Sequence, residues 1–235
     1  MKINEHTALL TPRILLVPYS SHHVPTYHNW MQNPDLQAAT ASEPLSLQEE
    51  YAMQQSWRTD ADKLTFIVCA PPPIVPEHIT AEKEDASQGM IGDVNLFLSL
   101  DDEGEGHEDD KEVQKLIGEI EIMIAERAQQ GKGMGREILL AFMWYILQSH
   151  TLSMDEYHST NPNGKKSSCL NCLRAKVDKH NVRSTKLFEG VGFKKVNETP
   201  NYFGELELRW TICADSLKDV ETRLDVTPQV LAFKS

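Results

Sequence analysis

The sequence predicts an α/β domain, and three features carry that reading. Strand-sized runs rich in β-branched and aromatic residues, such as 64–70 (Leu-Thr-Phe-Ile-Val-Cys-Ala), alternate with helical patterns. The strand pattern at 116–125 passes through a glycine-rich turn into an apolar helix that ends near Ser149. Two strand patterns, 90–98 and 116–125, follow one another without a helical pattern between them, as the arms of a hairpin do.

In chain order, 13–19 (Arg-Ile-Leu-Leu-Val-Pro-Tyr) reads as a short buried strand. A helix from His22 to about Met31 follows, with Val24, Tyr27 and Met31 spaced three and four apart. Asn33-Pro34-Asp35 breaks it. Ser46 with Glu49 three residues on has the form of a capping box and opens a helix towards Trp57. The strand 64–70 stops at Pro71-Pro72-Pro73, and the polar, proline-bearing segment after it reads as an extended loop. The helix after the glycine turn carries Ile138, Leu139, Phe142, Met143, Tyr145, Ile146 and Leu147, apolar nearly all round, so it is expected to be buried. A strand at 173–178, a helix after Asn181 and a final strand at 204–212 complete the pattern. The expected organisation is an extension at 1–12, a domain at 13–213 with long loops at 71–89 and 99–115, and a tail at 214–235.

The chain of 235 residues is 40% hydrophobic and 25% charged, enough for one sizeable core. No apolar run approaches membrane-span length, and the first residues show neither a signal-peptide pattern nor a myristoylation pattern, so no membrane partner is expected. Four scattered cysteines, Cys69, Cys169, Cys172 and Cys213, are read as reduced thiols of the cytosol or nucleus. Cys169 and Cys172 form a lone CxxC without a second ligand pair, so no metal is expected. The formal charge is −12, of which −7 falls between Asp101 and Glu112. That run is expected to be a solvated loop, or alternatively an acidic lip that attracts a basic substrate. Either way the charge argues against nucleic acid.

The turn Gln130-Gly131-Lys132-Gly133-Met134-Gly135 lies between a strand and a helix N-terminus. Glycines there let backbone N–H groups approach a ligand, and the helix dipole adds positive potential, which together suit a phosphate. The spacing is neither that of a P-loop nor GxGxxG followed by an acid, so a nucleotide or dinucleotide site is disfavoured.

Gln130-x-x-Gly133-x-Gly135 resembles the Q/R-x-x-G-x-G/A pyrophosphate loop of the Gcn5-related (GNAT) N-acetyltransferases. A second block, Asn181-x-x-Ser184-x-x-Leu187-x-Glu189-x-x-Gly192-Phe193, is similar to that of the ribosomal-protein N-terminal acetyltransferase branch, and the whole chain looks like that branch's N-acetyltransferase 9 group. The resemblance covers roughly 13–212. It implies a largely antiparallel mixed sheet flanked by helices, acetyl-CoA as co-substrate, and a protein or peptide amine as acceptor. It also implies cofactor contacts from Gln130, Gly131, Lys132, Gly133, Met134, Gly135 and Arg136. Main-chain groups of Met123, Ile124 and Ala125 would hold the pantetheine arm, together with Asn181 and Ser184, Asn181 also capping the helix that follows.

Such transfer proceeds by direct attack and needs a base near the amine, for which a carboxylate with a raised pKa serves. Glu119 and Glu121 point to one face of the strand 116–125, while Ile120 and Ile122 point to the other. Counting back from the loop, Glu119 falls at the family's catalytic glutamate, and Glu121 is the second candidate. The alternative is that both acids face solvent or bind Lys or Arg. The family's frequent leaving-group tyrosine is replaced by Phe188, and Tyr202 is a candidate to reach the acceptor groove. The missing tyrosine leaves a second reading open, an acetyl-CoA-binding protein that works through cytoskeletal or ribosomal partners.

Overall fold

The computed structural model describes residues 1–101, 113–160 and 167–234. Most of the acidic run, and part of the segment between Met154 and Ser168, lie outside the described residues. Strands and helices in chain order are β1 (Thr7–Leu10), β2 (Leu15–Pro18), α1 (Val24–Trp30), α2 (Pro34–Thr40), α3 (Leu47–Thr59), β3 (Lys63–Cys69), β4 (Ile79–Thr80), β5 (Met90–Leu100) and β6 (Val113–Ile124). There follow α4 (Met134–Gln148), α5 (His150–Ser159), β7 (Ser167–Asp178), α6 (Val182–Gly190), β8 (Lys194–Lys195), β9 (Glu205–Thr211), α7 (Ser216–Arg223) and β10 (Gln229–Lys234).

The strands form one sheet in the order β4-β10-β1-β2-β3-β5-β6-β7-β9-β8. Its ladders are antiparallel except β6 with β7 and β10 with β4. The expected α/β class with a largely antiparallel sheet is what the structure shows. Because side chains alternate across a strand, each strand feeds two cores. One face packs Val94, Leu96, Leu116 and Ile120 against α4, α6 and α7. The other packs Ile67, Met90 and Met123 against Val24, Tyr27 and Trp30 of α1. Helix α4 is buried from Ile138 to Ile146, as its all-round apolar surface predicts, and Phe142 and Tyr145 meet Phe66 edge-on.

Several elements depart from the sequence reading. Residues 1–12 and 214–235 are not appendages to the sheet. The first contains β1 and the second contains α7 and β10, and β1 and β10 pair from Thr7↔Ala232 to Leu10↔Gln229. The two ends of the chain become neighbours in the sheet, which no local pattern reveals. The segment 71–89 includes β4, which pairs with β10. Asn33-Pro34-Asp35 ends one helix and opens another: the Asn33 side chain accepts the Asp35 N–H, and Pro34 occupies the first turn of α2. The Ser46–Glu49 capping box of α3 is present on both sides. The four cysteines are free thiols, with Cys69 and Cys172 buried.

The parallel pair β6–β7 positions the site. Its register runs from Val113↔Ser167 to Glu119↔Arg174 and then stops, although β6 continues to Ile124 and β7 to Asp178. Each keeps its outer neighbour over that stretch, β6 pairing with β5 as far as Gly92↔Ile124 and β7 with β9 as far as Asp178↔Glu205. The sheet therefore opens between two strands that are each firmly held on the other side. At the open end Ala125 and Glu126 both donate their N–H to Ile91 O, which turns the chain out of β6. That bend presses the Met123 carbonyl onto Gly92, where any Cβ would overlap it. Gly92→Val is therefore expected to lower stability by about 1–3 kcal/mol, the usual cost of overpacking, and to weaken coenzyme A binding with it. Denaturant unfolding and calorimetric titration check this, and an unchanged midpoint would show that the bend is not rigid.

Candidate active site

Three elements converge on the opening between β6 and β7. The first is the glycine turn. Gly131 and Gly133 take φ of 74° and 78°, a left-handed backbone that favours glycine. Gly133 is the N-cap of α4, and no side chain caps that helix, so its first-turn N–H groups are open to a ligand. A Cβ at Gly131 would meet nothing within 4 Å, and one at Gly133 only the Arg13 guanidinium at 3.8 Å. Open space over a positive-φ turn at an uncapped 15-residue helix is a cradle for an anion.

The other predicted loop residues divide. Gln130 turns inward and donates from Nε2 to Ile124 O at 2.8 Å, tying the turn to the free end of β6. Arg13, which sequence reasoning missed, donates to Lys132 O and lies 3.5 Å from Glu137. Lys132 is exposed beside it. Arg136 turns away, donating to Arg223 O at 2.8 Å and so capping the end of α7. Met134 is buried in the core. Gly135 has a packing role, because a Cβ there would lie 2.9 Å from Leu187 Cδ2 of α6. It sets the close approach of α4 and α6 that brings both N-termini to the opening.

The second element is the start of α6. Asn181 Oδ1 accepts the Ser184 N–H at 3.1 Å, making Asn181 the N-cap, while Ser184 is half-buried beside it. Phe188, one turn on, is buried against Phe193 with ring centroids 5.1 Å apart. It has no proton to give.

The third element is the polar stripe on the α1 and α3 face of the sheet. The β5–β6 register places Phe97 opposite Glu119, Asn95 opposite Glu121 and Asp93 opposite Met123, so all six share that face. The two glutamates are in different states. Glu119 Oε2 accepts from Arg174 Nε at 3.0 Å and Nη2 at 2.7 Å, with Lys176 Nζ at 3.5 Å. Its charge is matched and that oxygen is occupied, the ion-paired alternative the sequence left open. Glu121 makes no hydrogen bond or ion pair among the described residues. Its side chain is exposed on this face of the sheet, although protein atoms crowd around the carboxyl. The loss of surrounding water, then the like charges of Glu119 and Asp93, push its carboxyl up to about 7 against the pull of Lys176.

Tyr202 does not join this group. It is 97% exposed on the turn before β9, with its ring against Phe203 at 5.4 Å. A cluster that sequence reasoning missed lies at the start of α1. His22 Nε2 and His23 Nε2 stand 2.9 and 3.1 Å from Asp85 Oδ2, with His23 and Asp85 wholly buried. The spacing resembles a metal site, but the hydrogen bonds account for it. His23 Nδ1 accepts the Ser20 N–H, so its proton is on Nε2 and donates to Asp85, leaving no lone pair for a metal. Burial holds His23 below its usual pKa, and against the effect of burial the two imidazoles hold Asp85 well below its own. The triad pins the segment before β5 to α1.

The acetyltransferase (GNAT) domain family matches residues 13–194, and the chain belongs to that family. Within it, the chain is similar to the N-acetyltransferase 9 proteins. It is 40% identical over 220 residues to human alpha/beta-tubulin-N-acetyltransferase 9, covering 90% of this chain and 86% of that protein. It is 38% identical to the N-acetyltransferase 9-like protein of Schizosaccharomyces pombe, over 88% of this chain and 97% of that one. Among solved structures, spermidine N-acetyltransferase from Vibrio cholerae, in complex with CoA and spermine, superposes with a TM-score of 0.54 at 17% identity, covering 88% of this chain and 99% of that one. The protein is an acetyl-CoA-dependent N-acetyltransferase.

Coenzyme A is expected to raise the melting temperature, because a ligand that binds only the folded state stabilises it. Gly133→Val should abolish that shift. Gly135→Ala should lower the melting temperature of the free protein, because its Cβ drives against Leu187. Scanning fluorimetry with and without coenzyme A separates the two, and identical behaviour would mean the glycines do not divide as described.

Proposed function

We propose that the chain transfers acetyl from acetyl-CoA to a protein or peptide amine, with Glu121 as the general base. The observation that carries this reading is the contrast between two acids on one strand face. Glu119 is held by Arg174 and Lys176, while Glu121 faces the opening unpaired with its proton affinity near neutrality. A base whose pKa lies near the working pH combines availability with driving force. Glu119, first choice from the sequence, becomes the group that holds Arg174 and Lys176.

The glycine turn and the α4 N-terminus would take the pyrophosphate, through the N–H groups of Gly131 to Gly135, with Lys132 and Arg13 alongside. The edge of β6 that β7 leaves open at Met123 to Ala125 would take the pantetheine amides, with Asn181 and Ser184 on the far wall. The incoming amine then attacks the thioester carbonyl as its proton passes to Glu121, directly or through one water. The carbon–nitrogen bond forms, the carbon–sulfur bond breaks, and coenzyme A departs as thiol. No described side chain stands out as the donor to sulfur, since Phe188 is apolar and Tyr202 is in solvent, so water is the proposed source of that proton. Relatives from human, mouse and Drosophila melanogaster, at 40%, 37% and 35% identity, are named for α/β-tubulin, which makes a tubulin N-terminal amine the first acceptor to test.

Glu121→Gln is expected to cut the rate on a tubulin N-terminal peptide by roughly 10²–10⁴-fold, with coenzyme A affinity unchanged. The base works unprotonated, so wild-type kcat/KM should rise with pH through about 7, where Glu121 loses its proton. The deficit of the variant should shrink in alkali, where more of the amine is already neutral. Glu119→Gln should keep a rise with pH but move it below 7, because a like charge beside Glu121 is lost and Arg174 and Lys176 are released. If Glu119→Gln removes it and Glu121→Gln does not, the base is Glu119.

A further inference from the structure

Behind Glu121 lies a buried acid that the reaction as described does not use. Asp93 is 2% exposed, on the central strand β5. Its Oδ2 accepts from Tyr27 OH at 3.1 Å and from Asn95 Nδ2 at 2.9 Å. Asn95 is directly opposite Glu121, and Asp93 is opposite Met123, so Asp93 is the diagonal neighbour of Glu121 on the same face. Diagonal pairs of this kind stand roughly 7–8 Å apart.

We propose that Asp93 is a positioning residue for acetyl transfer, a fixed buried charge that acts on Glu121 across the β5–β6 pair and through the Asn95 amide. The proposal rests on the assignment of Glu121 as base. Three observations support it. An acid wholly enclosed in a sheet face is costly, and an apolar side chain would pack there at lower cost, so Asp93 is not explained by stability. Its two donors come from different elements, α1 and β5, which hold the carboxylate in one orientation. By engaging the Asn95 amino group, Asp93 also dictates which way the amide faces. The Asn95 carbonyl oxygen is left buried without a partner, as are Thr65 Oγ1, opposite it on β3, and Tyr19 OH.

The charged and titratable groups around the pair are Glu119 on β6, Lys176 on β7, Glu205 on β9, Tyr27 on α1, and Tyr19 with Glu50 of α3 on the far side of Asp93. Burial pushes Asp93 up to about 6, with Asn95 and Tyr27 holding it from rising further. Its charge in turn favours the protonated form of Glu121. Removing that charge should make Glu121 a weaker base that ionises at lower pH.

The test is Asp93→Asn, with Tyr27→Phe as the milder variant. The readouts are the pH profile of kcat/KM and the carbon-13 carboxyl titration of Glu121, assigned by its loss in Glu121→Gln. The titration midpoint and the acidic limb of the profile should both move to lower pH, by about one unit for a like charge at this distance on a partly solvated face. The alkaline plateau should fall by less than about tenfold. Tyr27→Phe leaves both acids in place and should shift both in the same direction by less, since Asp93 then holds its proton to higher pH. A folded Asp93→Asn protein with an unmoved midpoint overturns the proposal and leaves Glu121 as base. If Asp93→Asn does not fold, an unmoved midpoint in Tyr27→Phe overturns it equally. A midpoint that moves in a protein whose rate is indifferent to Glu121→Gln overturns the base assignment, and the role of Asp93 in the reaction falls with it.

Discussion

The parallel pairing of β6 with β7 extends to Glu119↔Arg174 and no further, and the rest of the site is arranged around that stop. Parallel strands are joined by crossovers, so β6 must leave the sheet, build a helix and return. Here it leaves by a bend over Gly92, passes through the glycine turn, and becomes α4. Two strands pulled apart at one end expose backbone N–H and C=O groups that a folded chain normally satisfies. One of them, Ile124 O, is taken by the Gln130 side chain. The others face an opening lined by two helix N-termini, which is where a long, amide-bearing, anionic co-substrate has most to gain. Gly135 belongs to the same design, because its lack of a side chain lets Leu187 of α6 lie close against α4.

A second constraint is electrostatic. The α1-facing side of β5 and β6 carries Asp93, Glu119 and Glu121 within a few residues, and three acids on a sheet face repel one another. The structure resolves them in three ways. Glu119 has two cations from β7, Asp93 has two neutral donors, and Glu121 has neither and keeps a path to solvent. The unequal solutions produce unequal chemistry. A paired acid anchors, a buried hydrogen-bonded acid supplies field, and the unpartnered one is left with a raised proton affinity.

The ends of the chain contribute differently. β1 and β10 extend the sheet beyond β2, on the side away from the opening, and β4 closes that edge through two residue pairs. The His22–His23–Asp85 triad ties the same region to α1. These contacts give α1 a rigid seat, and α1 carries Tyr27, one of the two donors to Asp93. Stability in the first and last residues of the chain is thus linked to the polar groups beside Glu121.

Much of this was legible in the residues themselves. Period-two and all-round apolar patterns located the strands and α4, Ser46 with Glu49 marked the start of α3, and Gln130, Gly133 and Gly135 marked the turn, because backbone conformation and burial leave local signatures. The alternation of Glu119 and Glu121 with isoleucines also showed that both acids share a face. Which of them is free was beyond the sequence, since Arg174 and Lys176 are more than fifty residues away and reach Glu119 only through the β6–β7 register. For the same reason β1 and β10, Arg13 at the turn, the packing role of Gly135 and the diagonal relation of Asp93 to Glu121 came from the tertiary structure alone. Local patterns report what a residue needs from its neighbours in the chain. Pairing register decides which distant charge it meets, and here that choice leaves Glu119 ion-paired and Glu121 without a partner.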